Sequence, residues 1–370
     1  MSAKNDRYIL MIVLGIETSC DETSLALVSG GVDKERKILA METWSQISEH
    51  SDYGGVVPEI AARAHLKKMI PLLSKCFKTA NITPHHIDAV AATAGPGLIG
   101  GLIVGAVLGK ALSFSLNKPF VAVNHLSAHA LSVRLSHDDI DFPYLMLLVS
   151  GGHCQLLVVR GLNDFILYGE TLDDSAGEVF DKIARLLGMP QPGGPAIEQA
   201  AKHGKASRFP LPIPMKGVAD CNFSFSGLKT AIKNKLHHKK NAKENFSIHD
   251  VAAALQTTIC ESLKEKSTYA MKKFKTDFPN LNLRHFCLVG GVAANQFIRD
   301  QFITATRQMG FQLIAPPAPL CTDNGAMIGW AGIELMTAGI HHDLDFKIRP
   351  RWHLVDLTTD RKNIKGHIAP

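Results

Sequence analysis

The stretch GIETSCDETSLALV, residues 15–28, decides the fold. Its polar turn, 17–24, lies between two apolar runs, a pattern that predicts two antiparallel strands joined by a tight hairpin. The same design returns in YLMLLVSGGHCQLLVV, residues 144–159, where Ser150-Gly-Gly-His153 forms the turn. Two hairpins of one shape, this far apart in the chain, predict an internally duplicated protein.

Helical segments follow each hairpin, and this alternation predicts an α/β fold with partly parallel sheets. Further strands are predicted at 88–93, 286–289 and 311–315. Helices are predicted at 58–79, 98–116, 174–187, 225–235, 249–274, from about 293, and at 323–336. We expect a first domain at residues 1–137, a second at 138–340, and a tail at 341–370 that returns to the first domain.

Composition limits the class of protein. The chain has 370 residues, 46% of them hydrophobic, so it can build sizeable cores and is not disordered. Its formal charge of +6 permits a nucleic-acid partner without requiring one. The 7 cysteines include no C-x-x-C pair, which argues against a disulfide framework and favours a reducing compartment.

The most apolar stretch, 98–116, is interrupted by glycines and Lys110, so we predict a buried helix rather than a membrane span. The N-terminus has neither a signal-peptide pattern nor an Arg- and Ser-rich leader. We therefore expect a cytoplasmic protein without a membrane partner.

A histidine pair is the most specific local feature. His125 and His129 are spaced i and i+4, so on a helix both imidazoles could bind one metal ion. Position 126 is Leu, so the H-E-x-x-H protease pattern and its general base are absent. Asp323 is a candidate third ligand, and a simple helix cap is its alternative role. Two histidines and one carboxylate would leave coordination positions open for substrate.

Several turns could hold a phosphate. The turn 17–24 offers hydroxyls and backbone N–H groups, and 150–152 occupies the equivalent place in the second half. The segment 290–295, GGVAAN, follows a predicted strand and opens a helix, where anions are favoured. The turns 95–97 and 193–195 are weaker signals of the same kind. Self-satisfied turns and tight packing are the alternative explanations.

An acidic cluster precedes the middle of the chain. On the helix predicted there, Asp174, Glu178 and Asp181 share one face, so a metal, a ribose or an amine would compensate their repulsion. Lys182 and Arg185 support the alternative of a solvated, salt-bridged face.

A basic run follows in the second half. Residues 229–243 include six lysines and no acid, which indicates either a solvated loop or a surface that faces RNA. Just before it, Phe223 and Phe225 are predicted to be exposed, where they could line a pocket or stack a base.

Taken together, these residues resemble the tRNA N6-adenosine threonylcarbamoyltransferase (TsaD) family, in its bacterial and organellar branch. The resemblance runs in order from residue 15 to residue 328. It rests on GIETSCDET, GGVVPEIAARAH, GPGLIGGL, VNHLSAH, LVSGGH, GEVFDKIARLLG, PGGP, FSFSGLKTAI, GGVAAN and CTDNGAMI.

The resemblance implies an actin-like, sugar-kinase-like (ASKHA) fold of two duplicated RNase H-like domains with a ligand cleft between them. It implies transfer of the threonylcarbamoyl group of threonylcarbamoyl-AMP to N6 of adenosine 37 in tRNAs that read ANN codons, with release of AMP. The implied metal is one divalent ion per subunit, Fe(2+) or alternatively zinc, held by His125, His129 and Asp323. The implied substrate-binding residues are Leu148, Val149, Ser150, Gly151, Gly152, Asp181, Gly194, Glu198 and Asn295.

The implied partners are tRNA, a smaller TsaB-like paralogue and a TsaE-like P-loop ATPase. For the general base, Glu17 and Asp174 are candidates, and the sequence does not choose between them. Three other classes are open to test. An actin-like kinase would share the phosphate hairpins, a metalloprotease would lack its glutamate base, and a non-catalytic paralogue would be expected to lose the three metal ligands.

Overall fold

The computed structural model describes residues 10–31, 35–50, 53, 55–241 and 246–360. The chain divides into two compact units. Of the described residues, the first contains those up to 139, the short segment 162–164 and those from 323 onward, and the second contains those in 140–161 and 165–322.

The first unit is built on a sheet of order β3-β2-β1-β4-β5. Its strands are β1 (Met11–Glu17), β2 (Glu22–Gly30), β3 (Lys37–Ser45), β4 (Ala89–Gly95) and β5 (Phe120–Asn124). β1 and β2 pair antiparallel from Met11 opposite Gly30 to Glu17 opposite Ser24, which confirms the predicted hairpin. β4 pairs parallel with both β1 and β5, so the carboxyl ends of these three strands meet at one edge of the sheet.

Helices cover this sheet. They are α1 (Ile47–His50), α2 (Pro58–Ala80), α3 (Ile99–Leu116), α4 (His125–Ser136), α10 (Gly325–Thr337) and α11 (Leu354–Asp360). By length and composition alone, α3 could cross a membrane, but glycines at 101, 105 and 109 are buried along one side of it. Its opposite side exposes Ile103, Val107 and Phe114, so the predicted buried helix is buried along one side only.

The closing helix α10 belongs to the first unit, whereas residues 323–340 were expected in the second domain. A Cβ atom on Gly15 of β1 would overlap the backbone of Gly325 and Gly329, so helix and strand touch main chain to main chain. Only glycine permits that approach. Hydrophobic periodicity reports which face of a helix is apolar and not which sheet it covers, so the sequence could not assign α10.

The second unit repeats the same sheet. Its strands are β6 (Tyr144–Val149), β7 (Cys154–Gly161), β8 (Asp164–Glu170), β9 (His285–Val289) and β10 (Gln312–Ile314), in the order β10-β9-β6-β7-β8. Followed from its opposite edge, this order matches the first sheet strand for strand. β6 and β7 form the antiparallel hairpin, while β6–β9 and β9–β10 are parallel. The predicted duplication is therefore confirmed.

The second unit carries the helices α5 (Ala176–Leu186), α6 (Gly193–Ala201), α7 (Ser226–Asn241), α8 (Ile248–Asp277) and α9 (Gln296–Gln308). One apolar core joins β6, β7 and β9 to α5, α7 and α8. α7 extends to residue 241, so the described part of the basic run is helical and not a loop. Residues 242 and 243 of that run lie outside the described residues.

Candidate metal centre and substrate-binding loops

The histidine pair lies at the start of a helix that is fixed by its cap. α4 begins directly after β5, and Asn124 Oδ1 accepts hydrogen bonds from the backbone N–H groups of Leu126 at 2.9 Å and Ser127 at 3.2 Å. His125 and His129 are both buried on this helix, with ring centroids 4.8 Å apart and planes at 88°. The helical placement predicted from their spacing is confirmed.

Asp323 completes the cluster. Its Oδ1 lies 3.0 Å from His129 Nε2 and 3.5 Å from His125 Nε2. The three candidate ligand atoms all lie within 4.8 Å of one another. The cap of α10 is the next residue, Asn324, whose Oδ1 accepts from the Met327 N–H at 2.9 Å. The alternative role of Asp323 as the cap of this helix is therefore excluded.

Glu17 lies behind His125 and is fully buried at the end of β1. Its Oε2 lies 2.9 Å from His125 Nδ1 and accepts from Thr93 Oγ1 at 2.6 Å, while Oε1 accepts from the Ser19 N–H at 2.6 Å. Burial raises the pKa of this carboxyl, but His125 and the hydrogen bonds outweigh burial, so the net pKa is lowered. Glu17 is thus an ionised partner that orients the imidazole of His125.

The charge around His125 favours a cation. Burial opposes protonation of its imidazole, but the charges of Asp323 and Glu17 outweigh burial and raise its pKa to about 9. Burial and the neighbouring Asp21 and Asp323 also raise the pKa of Glu22 well above its usual range. Four carboxyl groups therefore crowd this turn. A phosphate would be repelled here, and a divalent metal would relieve the repulsion and displace the proton of His125.

His65 is a residue of the site that sequence reasoning missed. It is fully buried on α2, its Nε2 lies 3.0 Å from the Cys20 carbonyl oxygen, and its Nδ1 lies 2.8 Å from Thr23 Oγ1. These contacts tie α2 to the hairpin turn. The only sequence signal was its place in the motif ending at residue 65.

In the second unit, two predicted loops meet at one edge of the sheet. β6 and β9 are parallel, with Leu148 opposite Val289, so the turn that starts at Ser150 and the glycines 290–291 follow neighbouring strand ends. Gly290 has φ +93°, and a Cβ atom there would overlap the Val149 carbonyl oxygen. Around the Cβ positions of Gly151 and Gly152 there is open space within 4 Å, so a ligand could approach this backbone closely.

The acidic cluster of this unit is not a shared ligand set. The cap of α5 is Ser175, and Asp174 precedes the helix rather than lying on its face. Lys182 Nζ pairs with Asp174 at 2.9 Å and with Glu178 at 2.8 Å, as the salt-bridged alternative requires. Asp181 Oδ1 instead accepts from the Gly193 N–H at 2.7 Å, which ties α5 to the start of α6.

The loop 290–295 is held against α6 and α8. Asn295 Oδ1 accepts from the Ile298 N–H at 3.0 Å and caps α9, while its Nδ2 donates to Gln256 Oε1 at 2.9 Å. Glu198 Oε1 accepts from the Gln296 N–H at 2.8 Å. Gly194, the remaining predicted residue, has open space at its Cβ position. Hydrogen bonds of Asp181 and Glu198 thus connect α5, α6 and the start of α9.

Comparison with known proteins identifies the family. The family model for tRNA N6-adenosine threonylcarbamoyltransferase, TsaD, matches residues 37–330. The proteins of that name from Brucella suis and Rhizobium meliloti are each 49% identical to this chain, covering 93% of it and 95% of their own length. That from Paramagnetospirillum magneticum is 48% identical, over 96% of this chain and all of its own.

The chain belongs to the TsaD family. It is therefore an enzyme of the transferase class. Among solved structures, HypF of T. kodakarensis superposes with a TM-score of 0.55 at 14% identity, covering 89% of this chain and 48% of its own. Component A of the Acidaminococcus fermentans (R)-2-hydroxyglutaryl-CoA dehydratase superposes with a TM-score of 0.51 at 14% identity, over 89% of this chain and 99% of its own. These likenesses support the predicted actin-like, sugar-kinase-like fold.

One aromatic prediction for this TsaD-family chain was wrong. Phe223 and Phe225 are fully buried and stacked, with ring centroids 5.9 Å apart, so they are core residues that cannot stack a base. The serines between and after these two phenylalanines bind the side chain of Asp173. Its carboxylate accepts from the Phe225 N–H at 2.7 Å and from the hydroxyls of Ser224 at 2.6 Å and Ser226 at 2.8 Å. The motif therefore anchors the start of α7.

Proposed function

We propose that this enzyme transfers the threonylcarbamoyl group of threonylcarbamoyl-AMP to N6 of adenosine 37 in tRNAs that read ANN codons, releasing AMP. The observation that carries the proposal is the convergence of His125, His129 and Asp323 on one point in a TsaD-family chain. A kinase of the same fold has no use for this donor set. Family membership supports the group transferred and the tRNA acceptor.

The donor set fits a divalent metal ion. Two imidazole nitrogens and one carboxylate oxygen suit Fe(2+), with zinc as the alternative, and leave positions open. Glu17 on the far nitrogen of His125 is the second carboxylate that often accompanies a metal-bound histidine. We propose one ion per subunit, held by His125 Nε2, His129 Nε2 and Asp323 Oδ1. When bound, such an ion supplies Lewis-acid polarisation of a carbonyl oxygen.

The protein's other task is alignment. Threonylcarbamoyl-AMP is a mixed anhydride and already activated, so the chain needs no nucleophile of its own. The N6 amine is a poor nucleophile because its lone pair is delocalised into the ring, so orientation carries much of the rate. A bond forms from N6 to the carbamoyl carbon, the bond from that carbon to the phosphate oxygen breaks, and N6 loses a proton. AMP leaves.

We assign the phosphate to the second unit. The backbone N–H groups of Gly151 and Gly152 would hold the departing phosphate, since open space surrounds both Cβ positions, whereas the Ser150 N–H already donates to the His153 carbonyl oxygen at 2.8 Å. Gly194 and Asn295, with Glu198 and Asp181 as the side chains that fix their loops, would bind the rest of the nucleotide. Leu148 and Val149 place the turn at the end of β6.

The two candidate general bases differ in their surroundings. Glu17 is held ionised by His125, Thr93 and Ser19, and a carboxylate with a lowered pKa is a weak base. We therefore assign Glu17 to positioning His125. Asp174 is the remaining candidate for accepting the N6 proton, and it already pairs with Lys182.

Two sets of exposed residues suit partners of different kinds. On α7, Lys229 and Lys233 are exposed one helical turn apart, and we propose that they contact tRNA phosphates. The packed helices α2 and α3 expose five large apolar side chains: Leu66, Ile70, Ile103, Val107 and Phe114. A surface of this kind suits a protein partner, and we propose the TsaB-like paralogue here. A TsaE-like ATPase and a cytoplasmic location complete the proposal.

The test is reconstitution with nucleoside mass spectrometry. Purified enzyme, its paralogue, the ATPase, threonylcarbamoyl-AMP and unmodified tRNA should yield threonylcarbamoyladenosine, and Asp323→Ala should abolish the product. Asp300→Ala is the matched control, because Asp300 is exposed on α9 and bonds Gln296. Full activity of Asp323→Ala would overturn the metal assignment. Turnover of ATP with a small-molecule acceptor and no tRNA would favour the kinase instead.

A further inference from the structure

We propose that residues 341–353, hereafter the strap, position the metal-binding end of α4 by fixing the side chain of Asn124. The strap follows α10 and belongs to the first unit. This inference rests on the metal centre proposed above, because it assigns the strap a role only in holding His125 in place.

The strap first pairs with the edge of the sheet. β5 is an edge strand, and the His342 N–H donates to the Phe120 carbonyl oxygen at 2.8 Å. In return, the Ala122 N–H donates to His342 Nδ1 at 3.1 Å. Burial, aided by His341 and Arg349, lowers the pKa of His342 to about 4, so its ring is neutral and can accept this bond. The strap is therefore bonded to the strand that leads into α4.

The strap then reaches Asn124, which is buried. While Asn124 Oδ1 caps α4, its Nδ2 donates to the carbonyl oxygen of Trp352 at 3.0 Å. The carbonyl of Trp352 can only accept, so it selects the amide orientation that turns Oδ1 toward the helix. The next residue is His125, so the strap and the ligand are separated by one capping side chain.

A second chain of contacts reaches His125 from the same strap. The Arg349 N–H donates to the Ala94 carbonyl at 2.8 Å, and the Gly97 N–H donates to the Pro350 carbonyl at 3.1 Å. The Leu98 N–H then donates to the Ser19 carbonyl oxygen at 2.7 Å, and Ser19 Oγ lies 3.2 Å from His125 Nδ1.

Glycine makes this approach possible. Gly95 has φ +143°, and a Cβ atom there would overlap the Arg349 carbonyl oxygen. A single methyl group at position 95 therefore displaces the strap without touching a metal ligand.

The strap is stiffened by its own side chains. Trp352 is buried against Phe346 with ring centroids 5.7 Å apart, and the Arg349 guanidinium lies 5.1 Å from the Trp352 ring. Lys110 Nζ of α3 donates to the Phe346 carbonyl at 2.6 Å. An element fixed at this many points can hold a cap rigidly, which is what a preorganised ligand set requires.

The test measures binding of Co²⁺ to the full chain, by titration and by the visible d–d bands. Asn124→Ser keeps a good capping oxygen but is too short to donate to Trp352, and Gly95→Ala displaces the strap. We expect each to weaken Co²⁺ binding by roughly 10–100-fold and to shift the bands, as changes behind a ligand do. Gly188→Ala is the control. It has φ +69° with open space around its Cβ position, so it adds backbone strain without displacing a neighbour.

The outcomes separate the two proposals. If Asp323→Ala binds Co²⁺ as tightly as the wild type does, the proposed metal centre is wrong, and so is the proposed role of the strap. Binding that depends on Asp323, with both strap variants matching wild type in affinity and spectrum, would overturn the strap alone. Thermal melting of every variant checks the fold, and if Gly95→Ala does not fold, Asn124→Ser decides.

Discussion

The two hairpins share one strand pairing and end in turns of opposite chemistry. The turn after β1 is rich in carboxylates, and Glu17, Thr18 and Ser19 are buried in it. The turn after β6 has two exposed glycines and no acid from Ser150 to His153. The carboxylates of the first turn suit the cation proposed there, and the exposed backbone of the second suits the proposed phosphate.

This difference shows what the duplication preserved. Strand order and pairing are the same in both halves because backbone hydrogen bonding tolerates many sequences. The turns are not part of the ladder, so their residues could diverge, and we propose that one holds a metal and the other a phosphate. Three experiments test how far the two hairpins differ, and a fourth tests an acid outside both turns.

The largest effect is expected from glycines in the two halves. Gly15→Ala should lower the free energy of unfolding by about 3 kcal/mol, because the new methyl group would overlap the backbone of α10. Gly151→Ala should change it by no more than about 0.5 kcal/mol, since open space surrounds that position. Urea denaturation measures both. Equal losses would show that the second turn is as tightly packed as the first strand.

Glu17→Gln should weaken binding of Zn²⁺ or Co²⁺ by roughly 10–100-fold, because an amide replaces the carboxylate that orients His125. The affinity is measured by competition with a chelating dye. Glu42→Gln is the matched control, an isosteric change at a β3 carboxylate that pairs with Lys75 of α2. Unchanged affinity in Glu17→Gln would mean that His125 is positioned by other contacts.

Gly152→Ala should raise KM for threonylcarbamoyl-AMP by roughly 10-fold, because a methyl group occupies space that the phosphate would use. Metal affinity should stay at the wild-type value, since this turn holds no metal ligand. Steady-state kinetics measures the change in KM, and the dye titration measures the metal affinity. If Gly152→Ala instead weakened metal binding, the second turn would contribute to the metal site as well as to the phosphate site.

The smallest expected effect is on stability and concerns Asp173, whose carboxylate accepts hydrogen bonds at the start of α7. Hydrogen bonds from Ser224, Phe225 and Ser226 outweigh burial and lower the pKa of Asp173 in the folded state. Its contribution is thus fully present above the unfolded pKa of about 4 and is lost as pH falls through the lower folded value. Asp173→Asn should be less stable near pH 7, with a shallower decline in acid. A parallel decline in both proteins, followed by circular dichroism, would contradict this.

The sequence by itself determined the duplication, the α/β class and the family. Alternation of apolar runs and turns is a local property, and the same alternation occurs at 15–28 and 144–159. The spacing of His125 and His129 also fixed their shared helix face, because side chains at i and i+4 are neighbours on any helix. The ordered motifs then placed the chain among the threonylcarbamoyltransferases.

The tertiary structure decided which distant residues meet. Asp323 lies 194 positions from His129, and it reaches the pair only because glycines let α10 lie against β1. The tertiary structure also buries Phe223 and Phe225 in the core. It places the Glu17 carboxylate beside His125 Nδ1. Local patterns encode faces and turns, whereas contacts across the chain depend on how closely two backbones can approach, and that is settled only by packing.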